Sequence, residues 1–542
     1  MPTRPDLGHL KKQAKTLLAG YRSGDPDAAR RLRTFLPAAA GKSDPALQAL
    51  NLRLHDAQSC LAREYGFVSW ADLQGFVDAR RAQLDDPLHA RLYWLRLVYA
   101  GDISGGTANA KPQVAARLLQ ERGSQVGEDP YLACAFGDEA LVRLTCDRDP
   151  GWVNRPGGPL NLPPLMAVTH SSLLQLPAFR HALLGCARIL LEAGANPNQA
   201  VGSRWAKTAV AEADGSEPLS ALYGAAGRNR DPEVTQLLLD AGANPNDGES
   251  LYHSLENPAC TRLLLAAGAR LAGTNALYRL LDFDDLETLR LLLDKGADAN
   301  GDDVQMPAGM TPLLWAIRRR RSGAHIQALL AAGANPRVQA DDGVTPYIQA
   351  LRYGLQEVAA LLQQATGDAE ALPAEEGFIA ACARGDATTA RRLHGEHPQW
   401  PGALSEPQLR LLPELAAQGC QGAVKLMVEL GWPIATLGGD WNASALNQAV
   451  FRGDAQLTRW LLEHGARWQE RHGYGDNACG TLSWASNNRP IDDGDWLGCA
   501  QALLAHGLPH AAPDPQGSEA LLIDGRLISF SDEVSECLLG IT

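Results

Sequence analysis

Leu190-Leu191-Glu192-Ala193-Gly194-Ala195-Asn196-Pro197-Asn198 is the phrase that decides how this chain folds. Near copies stand at 238–246, 264–269, 292–300, 329–336 and 461–466. The glycine of each Gly-Ala pair falls at 194, 242, 268, 296, 333 and 465, and the first five are spaced by 48, 26, 28 and 37 residues. A period of that size implies one supersecondary unit per repeat, each burying its apolar side only against the next. The paired leucines suit a helix packed on the adjoining repeat, and the glycine suits a left-handed residue that ends it.

A second pattern precedes the first. Thr311-Pro312-Leu313-Leu314-Trp315-Ala316-Ile317 and Val344-Thr345-Pro346-Tyr347-Ile348-Gln349-Ala350 open helices with proline in the first turn, where its missing N–H costs nothing. Gly137-Asp138, Gly385-Asp386 and Gly453-Asp454 mark a short turn between helices. Together these phrases resemble the ankyrin repeat, an inner helix opening on Thr-Pro-Leu-His and an outer helix closing on Leu-Leu and Gly-Ala-Asp/Asn. The resemblance implies an all-α ankyrin-repeat solenoid over 88–512, with about eleven helix-turn-helix repeats, several of them degenerate. Inner helices are expected near Leu92, Tyr131, Pro163, Glu217, Glu249, Asn275, Thr311, Thr345, Gly377, Gln408, Ser444 and Gly480. Residues 157–216 read as an insertion, and 513–542 as a polar-faced terminal cap.

Residues 1–81 read as a separate helical module, because Leu7, Leu10, Ala14, Leu17, Leu18 and Tyr21 recur at helical spacing. Further helices are expected over 27–36, 46–65 and 66–81. His9-Leu10-Lys11-Lys12-Gln13-Ala14-Lys15 and Ala62-Arg63-Glu64-Tyr65-Gly66-Phe67-Val68-Ser69-Trp70 resemble a module that precedes ankyrin arrays in bacterial proteins, which implies a bacterial source and no activity.

Composition narrows the class. With 542 residues, 45% hydrophobic and 20% charged, the chain has the make-up of a water-soluble protein. Residues 1–18 lack the apolar block of a secretory signal, and the longest uncharged stretch, 156–179, is broken by five prolines, so no membrane span is expected. Ten single cysteines without a Cys-x-x-Cys pair predict reduced, buried thiols and a cytoplasmic location. Residues 1–81 carry 13 Lys/Arg against 8 Asp/Glu, whereas the rest carry 36 against 54. An array this acidic does not suit a phosphate backbone, so nucleic acid is not expected as a partner.

Catalytic motifs fail on spacing. Gly41-Lys42-Ser43 has Leu36 where a phosphate loop needs glycine, and Gly473, Gly475 and Gly480 miss the dinucleotide pattern. His394 and His397, like His506 and His510, sit beside proline near helix ends and have no evident third ligand, so no metal or cofactor is expected. Asp247, Glu249, Tyr252 and His253 form the most enzyme-like cluster. In the repeat frame Asp247 is instead a helix cap and Glu249 a favourable first-turn charge. An enzyme or small-molecule binder would need a pocket closed by 157–216 over 247–253.

Ankyrin partners meet the finger loops and the ends of the inner helices, so the resemblance implies a concave binding strip. Here it reads Glu256, Asp282 and Phe283, then Arg318, Arg319, Arg352, Tyr353, Arg384, Phe451 and Arg452. Arginine and aromatic residues dominate binding hot spots, and alternating charge zones set the register of an extended ligand. The expected function is a monomeric protein-interaction scaffold or regulatory adaptor without catalysis, its arginines pairing carboxylates of a polypeptide partner. An exported, host-directed effector is a further alternative. Trp315 and Trp484 fall one frame position earlier and are expected in the seam between repeats.

Overall fold

Many of the inner helices begin on a side chain that satisfies an amide the helix leaves unpaired. In a computed structural model, Thr311 accepts from Leu314 N–H at 3.4 Å ahead of helix Pro312–Arg318, and Thr345 accepts from Ile348 at 3.3 Å ahead of Pro346–Arg352. Six of the outer helices begin on aspartate. Asp138, Asp231, Asp285, Asp386, Asp454 and Asp495 each accept an amide two or three residues on. Such a cap is worth about 1 kcal/mol, and the carboxylate also meets the positive end of the helix. That is the physical content of the Gly-Asp turns.

The structure describes residues 6–82, 87–122, 129–205, 218–301, 309–340, 342–367, 371–515 and 520–540. It divides into two units, Met1–Arg279 and Leu280–Thr542. The first unit opens with helices Leu7–Ser23, Pro26–Phe35, Asp44–Gln48, Leu54–Glu64 and Trp70–Ala82. The single helix expected over 46–65 is in fact two, interrupted around Asn51, whose φ is +48°. Helices Pro87–Val98 and Pro112–Arg122 follow. Inner and outer helices then alternate: Pro130–Phe136 with Glu139–Arg148, Pro164–Thr169 with Pro177–Glu192, and Ser250–Ser254 with Pro258–Ala266. Between the last two, Ala221–Tyr223 runs on into Gly224–Asn229 and pairs with Pro232–Asp240.

In the second unit the alternation is regular. Pro312–Arg318, Pro346–Arg352, Ala374–Ala383, Leu411–Ala417, Ala445–Arg452 and Ala478–Asn488 are inner helices. Gly323–Ala331, Gln356–Thr366, Ala387–Glu396, Gln421–Glu429, Ala455–Glu463 and Trp496–Ala505 are outer ones. Short strands qualify the all-helical expectation: Ala200–Gly202 with Pro218–Ser220, Leu437–Gly438 with Ala443–Ser444, and a three-stranded sheet of Ala512–Pro513, Leu521–Ile523 and Arg526–Ile528. The first of these hairpins lies in the insertion, of which 206–216 falls outside the described residues.

The repeated phrase explains how layers adhere. Its first leucine, at 190, 238, 264, 292, 329 and 461, is fully buried in every copy. Its glycine is left-handed throughout, with φ +92° at Gly242. Its final asparagine reaches to a neighbouring repeat. Asn198 donates to the Gly242 carbonyl at 3.0 Å and accepts from Asn244 N–H at 2.7 Å. Asn246 makes the same pair of bonds to Gly268 and Arg270, and Asn300 to Gly333 and Asn335. Asn154, just before the array's third inner position, does so to Gly194 and Asn196.

Nine of the ten cysteines are buried, Cys420 is half-buried, and none is in a disulfide. Among the described residues no helix is long and apolar enough to cross a membrane. Substituting Asn246 by Ala removes both bridging bonds and should lower the urea unfolding free energy by about 1–2 kcal/mol, with far-UV circular dichroism unchanged.

Candidate functional site

The ends of the inner helices in the second unit line an open cavity of about 800 Å³. Trp315, Arg318 and Arg319 come from one inner helix, Arg352 and Tyr353 from the end of the next, and Leu411 and Glu414 from the inner helix two repeats further on. Arg410 stands at the start of that last helix, Asp440 is on the loop of the hairpin 437–444, and Val344 lies in the loop before Thr345. Arg318 lies 3.3 Å from Glu414 and 3.1 Å from Asp440, although these partners are 96 and more residues away in sequence. Arg319 pairs with Asp282 at 2.8 Å and Asp440 at 2.7 Å. Both guanidinium groups also pack on the Trp315 ring, at 5.3 and 4.2 Å from its centre.

Arg318, Arg319 and Arg352 each have a carboxylate partner within the chain. Arg352 is buried, 8% exposed, donating to Glu376 at 2.8 Å and to Asp342 at 3.1 Å; Gln408 completes the set by donating to Glu376 at 2.8 Å. Tyr353 is buried as well, and its hydroxyl donates to Glu414. Burial pushes its pKa well above the ordinary phenol value, and the adjacent Glu414 carboxylate reinforces that. Burial alone would weaken the charge on Arg318, but Glu414, Tyr353 and Asp440 raise its pKa. The cause is electrostatic: a guanidinium taken from water needs a counter-charge close by, and the fold supplies one from distant repeats.

The remaining strip residues are likewise engaged. Glu256 pairs with Arg230 at 2.6 Å and Arg279 at 3.6 Å, and Phe283 is half-buried. Exposed Arg384 pairs with Asp386 at 2.6 Å, a bond that holds that carboxyl down at about 2. Arg452 donates to the Ala417 carbonyl at 3.0 Å, and Phe451 stacks on Trp484. Trp315 is 9% exposed, as a seam residue should be, but Trp484 is 52% exposed. Helix Ala478–Asn488 is the last inner helix, so no further one covers that tryptophan.

The alternative cluster is a packed column. Asp247 accepts from the amides of Glu249 and Ser250 at 3.1 and 2.8 Å and from the Ser250 and Ser220 hydroxyls, so it acts as a cap. Glu249 lies 3.2 Å from His253, one helical turn on. Tyr252 meets His253 edge-on at 5.0 Å and carries Arg279 at 5.6 Å. Behind them the Tyr223 ring packs on His253 and on buried His170, and Arg228 donates to buried Asp102 at 2.8 Å. The cavity beside Gly157, Gly158 and Leu162 measures about 10 Å³, which holds no more than a water. His394 stacks on Phe378 and His397 on Trp400, while His506 and His510 bond to the carbonyls of Ala502 and Leu538. Among the described residues no cluster of three or more metal-ligating side chains occurs.

Residues 284–371, inside the unit that holds the cavity, match the family of ankyrin repeats (three copies). A solved structure, the human ASB11 ankyrin repeat domain, is 18% identical with a TM-score of 0.33; it covers 44% of this chain and 99% of its own. No curated protein matches the chain at a significant level.

Replacing Arg352 by Ala strands Glu376 in the interior and should cost about 3–5 kcal/mol of stability by chemical denaturation. Burial drives the His170 pKa down to about 4, outweighing Asp102 and the Ser220 carbonyl, which raise it; Arg228 adds to the lowering. The unfolded imidazole titrates near 6.5, so the unfolded state binds the extra proton. Stability is therefore lost as pH falls from about 6.5 to 4, by roughly 3 kcal/mol. In a His170→Gln variant the urea midpoint should fall less steeply across that range.

Proposed function

We propose that this chain is a bacterial, cytoplasmic and monomeric adaptor without catalytic activity, which takes a protruding side chain of a polypeptide partner into the cavity of its second unit. The single observation carrying this reading is the cavity itself: its volume lies within the range of binding pockets, and inner-helix ends of successive repeats build its wall. Ankyrin repeats as a class mediate protein–protein interaction, and three copies match across this wall.

The internal ion pairs determine what such a pocket rewards. A partner carboxylate would have to compete with Glu414 and Asp440 for arginines they already hold, so charge alone adds little net affinity. Apolar contact with Trp315, Val344 and Leu411 supplies the gain, and the fixed charges orient the backbone that carries the anchor. Exposed Arg410, whose nearest carboxylate is the equally exposed Glu406 at 3.0 Å, is the rim cation available to a partner carbonyl. The strip residues Asp282, Phe283, Arg384 and Arg452 of the same unit then act on shape and field more than as direct contacts.

Peptides selected from a displayed library on the full chain provide the test. Ala340→Trp fills the cavity without touching an ion pair, and should weaken the selected peptides about tenfold or more, with helicity unchanged. Arg410→Ala should weaken them by a smaller factor. Equal affinity for Ala340→Trp and the parent chain would remove the cavity from the reading.

A further inference from the structure

Three large apolar or aromatic side chains of the second unit stand open to solvent close together: Tyr474 is 83%, Trp484 52% and Leu527 54% exposed. The fold ties their carriers to one another. Tyr474 meets His472 edge-on at 6.0 Å, His472 meets Trp441 at 4.9 Å, Trp441 meets Phe451 at 5.7 Å, and Phe451 stacks on Trp484 at 5.4 Å with the rings 10° from parallel. Asp476, two residues after Tyr474, grips Arg526 through two bonds of 2.8 and 2.7 Å, which ties the hairpin that carries Leu527 to the loop of Tyr474. Ser483 and Asn487, flanking Trp484, both donate to the Ser529 carbonyl. Packing within the repeats accounts for Phe451, but not for aromatic rings left in water.

We infer that this aromatic row is a docking surface for a basic, extended segment of another protein. Charge complementarity selects that occupant. Residues 280–542 carry 19 Lys/Arg against 34 Asp/Glu. Exposed Asp492 and Asp493 follow the helix of Trp484, and exposed Asp524 precedes Leu527. Of the nearby cations, Arg526 is engaged by Asp476 and Arg489 lies over Trp496 at 5.1 Å, while exposed Arg471 stands next to His472. Among the described residues no Lys or Arg lies over Trp484 or Tyr474, so Tyr474 and the Trp484 face turned away from Phe451 can take an incoming cation. Length selects an extended chain. Exposed Tyr474 and Trp484 bracket three intervening rings, His472, Trp441 and Phe451, a row longer than one side chain covers. The residues differ from those lining the 800 Å³ cavity, so the two surfaces stand or fall separately.

A fluorescently labelled peptide of alternating arginine and proline, titrated into the full chain by anisotropy, tests this. It should bind, and Trp484→Ala and Tyr474→Ala should each weaken it about five- to tenfold. Both side chains are exposed, so helicity should not change. A glutamate–proline counterpart should not bind, and Ala340→Trp should leave the arginine peptide's affinity unaltered. Equal affinity for both aromatic variants and the parent, or equal binding of the acidic peptide, overturns the inference. So does loss of binding in Ala340→Trp alone, which would place the probe in the cavity. Self-association of the chain that Trp484→Ala abolishes would make a second copy the occupant, and Trp484-dependent binding to phosphatidylcholine vesicles would make it a lipid surface; either result also overturns the inference.

Discussion

A two-helix layer of this size cannot bury its own apolar side, and the structure follows from that constraint. The leucine that opens each repeated phrase is wholly covered, and only a neighbouring layer can cover it. Burial sets no register, because leucines slide. The asparagine bridges add the missing direction, each joining one loop to the next by a donor and an acceptor at once. Caps at many of the helix starts then fix where those helices begin. Hydrophobic area supplies the attraction, and a few oriented polar groups choose one geometry from many.

The same division of labour governs the concave side of the second unit. Inner-helix arginines from one repeat meet carboxylates three repeats on, so the face is electrically closed before any partner arrives. Such a surface discriminates by shape and by penalty. A ligand that inserts a charge without an equivalent partner disturbs a satisfied network, whereas an apolar anchor disturbs nothing. Arg352 and Glu376 mark the limit of this design, since they are buried deeply enough to belong to the scaffold.

Local rules made much of this legible in the sequence. Phrase spacing, Thr-Pro openings and Gly-Asp turns each depend on residues within a few positions, and they locate most of the helices. Capping by Asp247 was readable for the same reason. The sequence reading missed what lies far apart along the chain. Arg318 and Glu414 are separated by 96 residues, and Arg228 and Asp102 by 126; no local pattern announces either pair. Arg318 and Arg319 therefore looked like free charge. Trp484 misled differently: the frame assigns it to a seam, but a seam needs a following inner helix, and the array has ended. Gly-rich hairpins such as 437–444 also escaped, because two-residue strands carry no periodicity.

One bridge has a chemical fate written beside it. Asn300 is followed by Gly301, and a side-chain amide next to glycine is open to attack by the glycine nitrogen, closing a ring that hydrolyses to aspartate or isoaspartate. In the folded repeat that nitrogen is held on the Asp298 carbonyl at 3.1 Å while the amide is held on Gly333, so the nucleophile and its target are both restrained. Opening the repeat frees both together. The aspartate that results has no hydrogen to give and sets a negative charge against a carbonyl oxygen, so one transient parting of two layers becomes a permanent scar, and the protein ages from that joint.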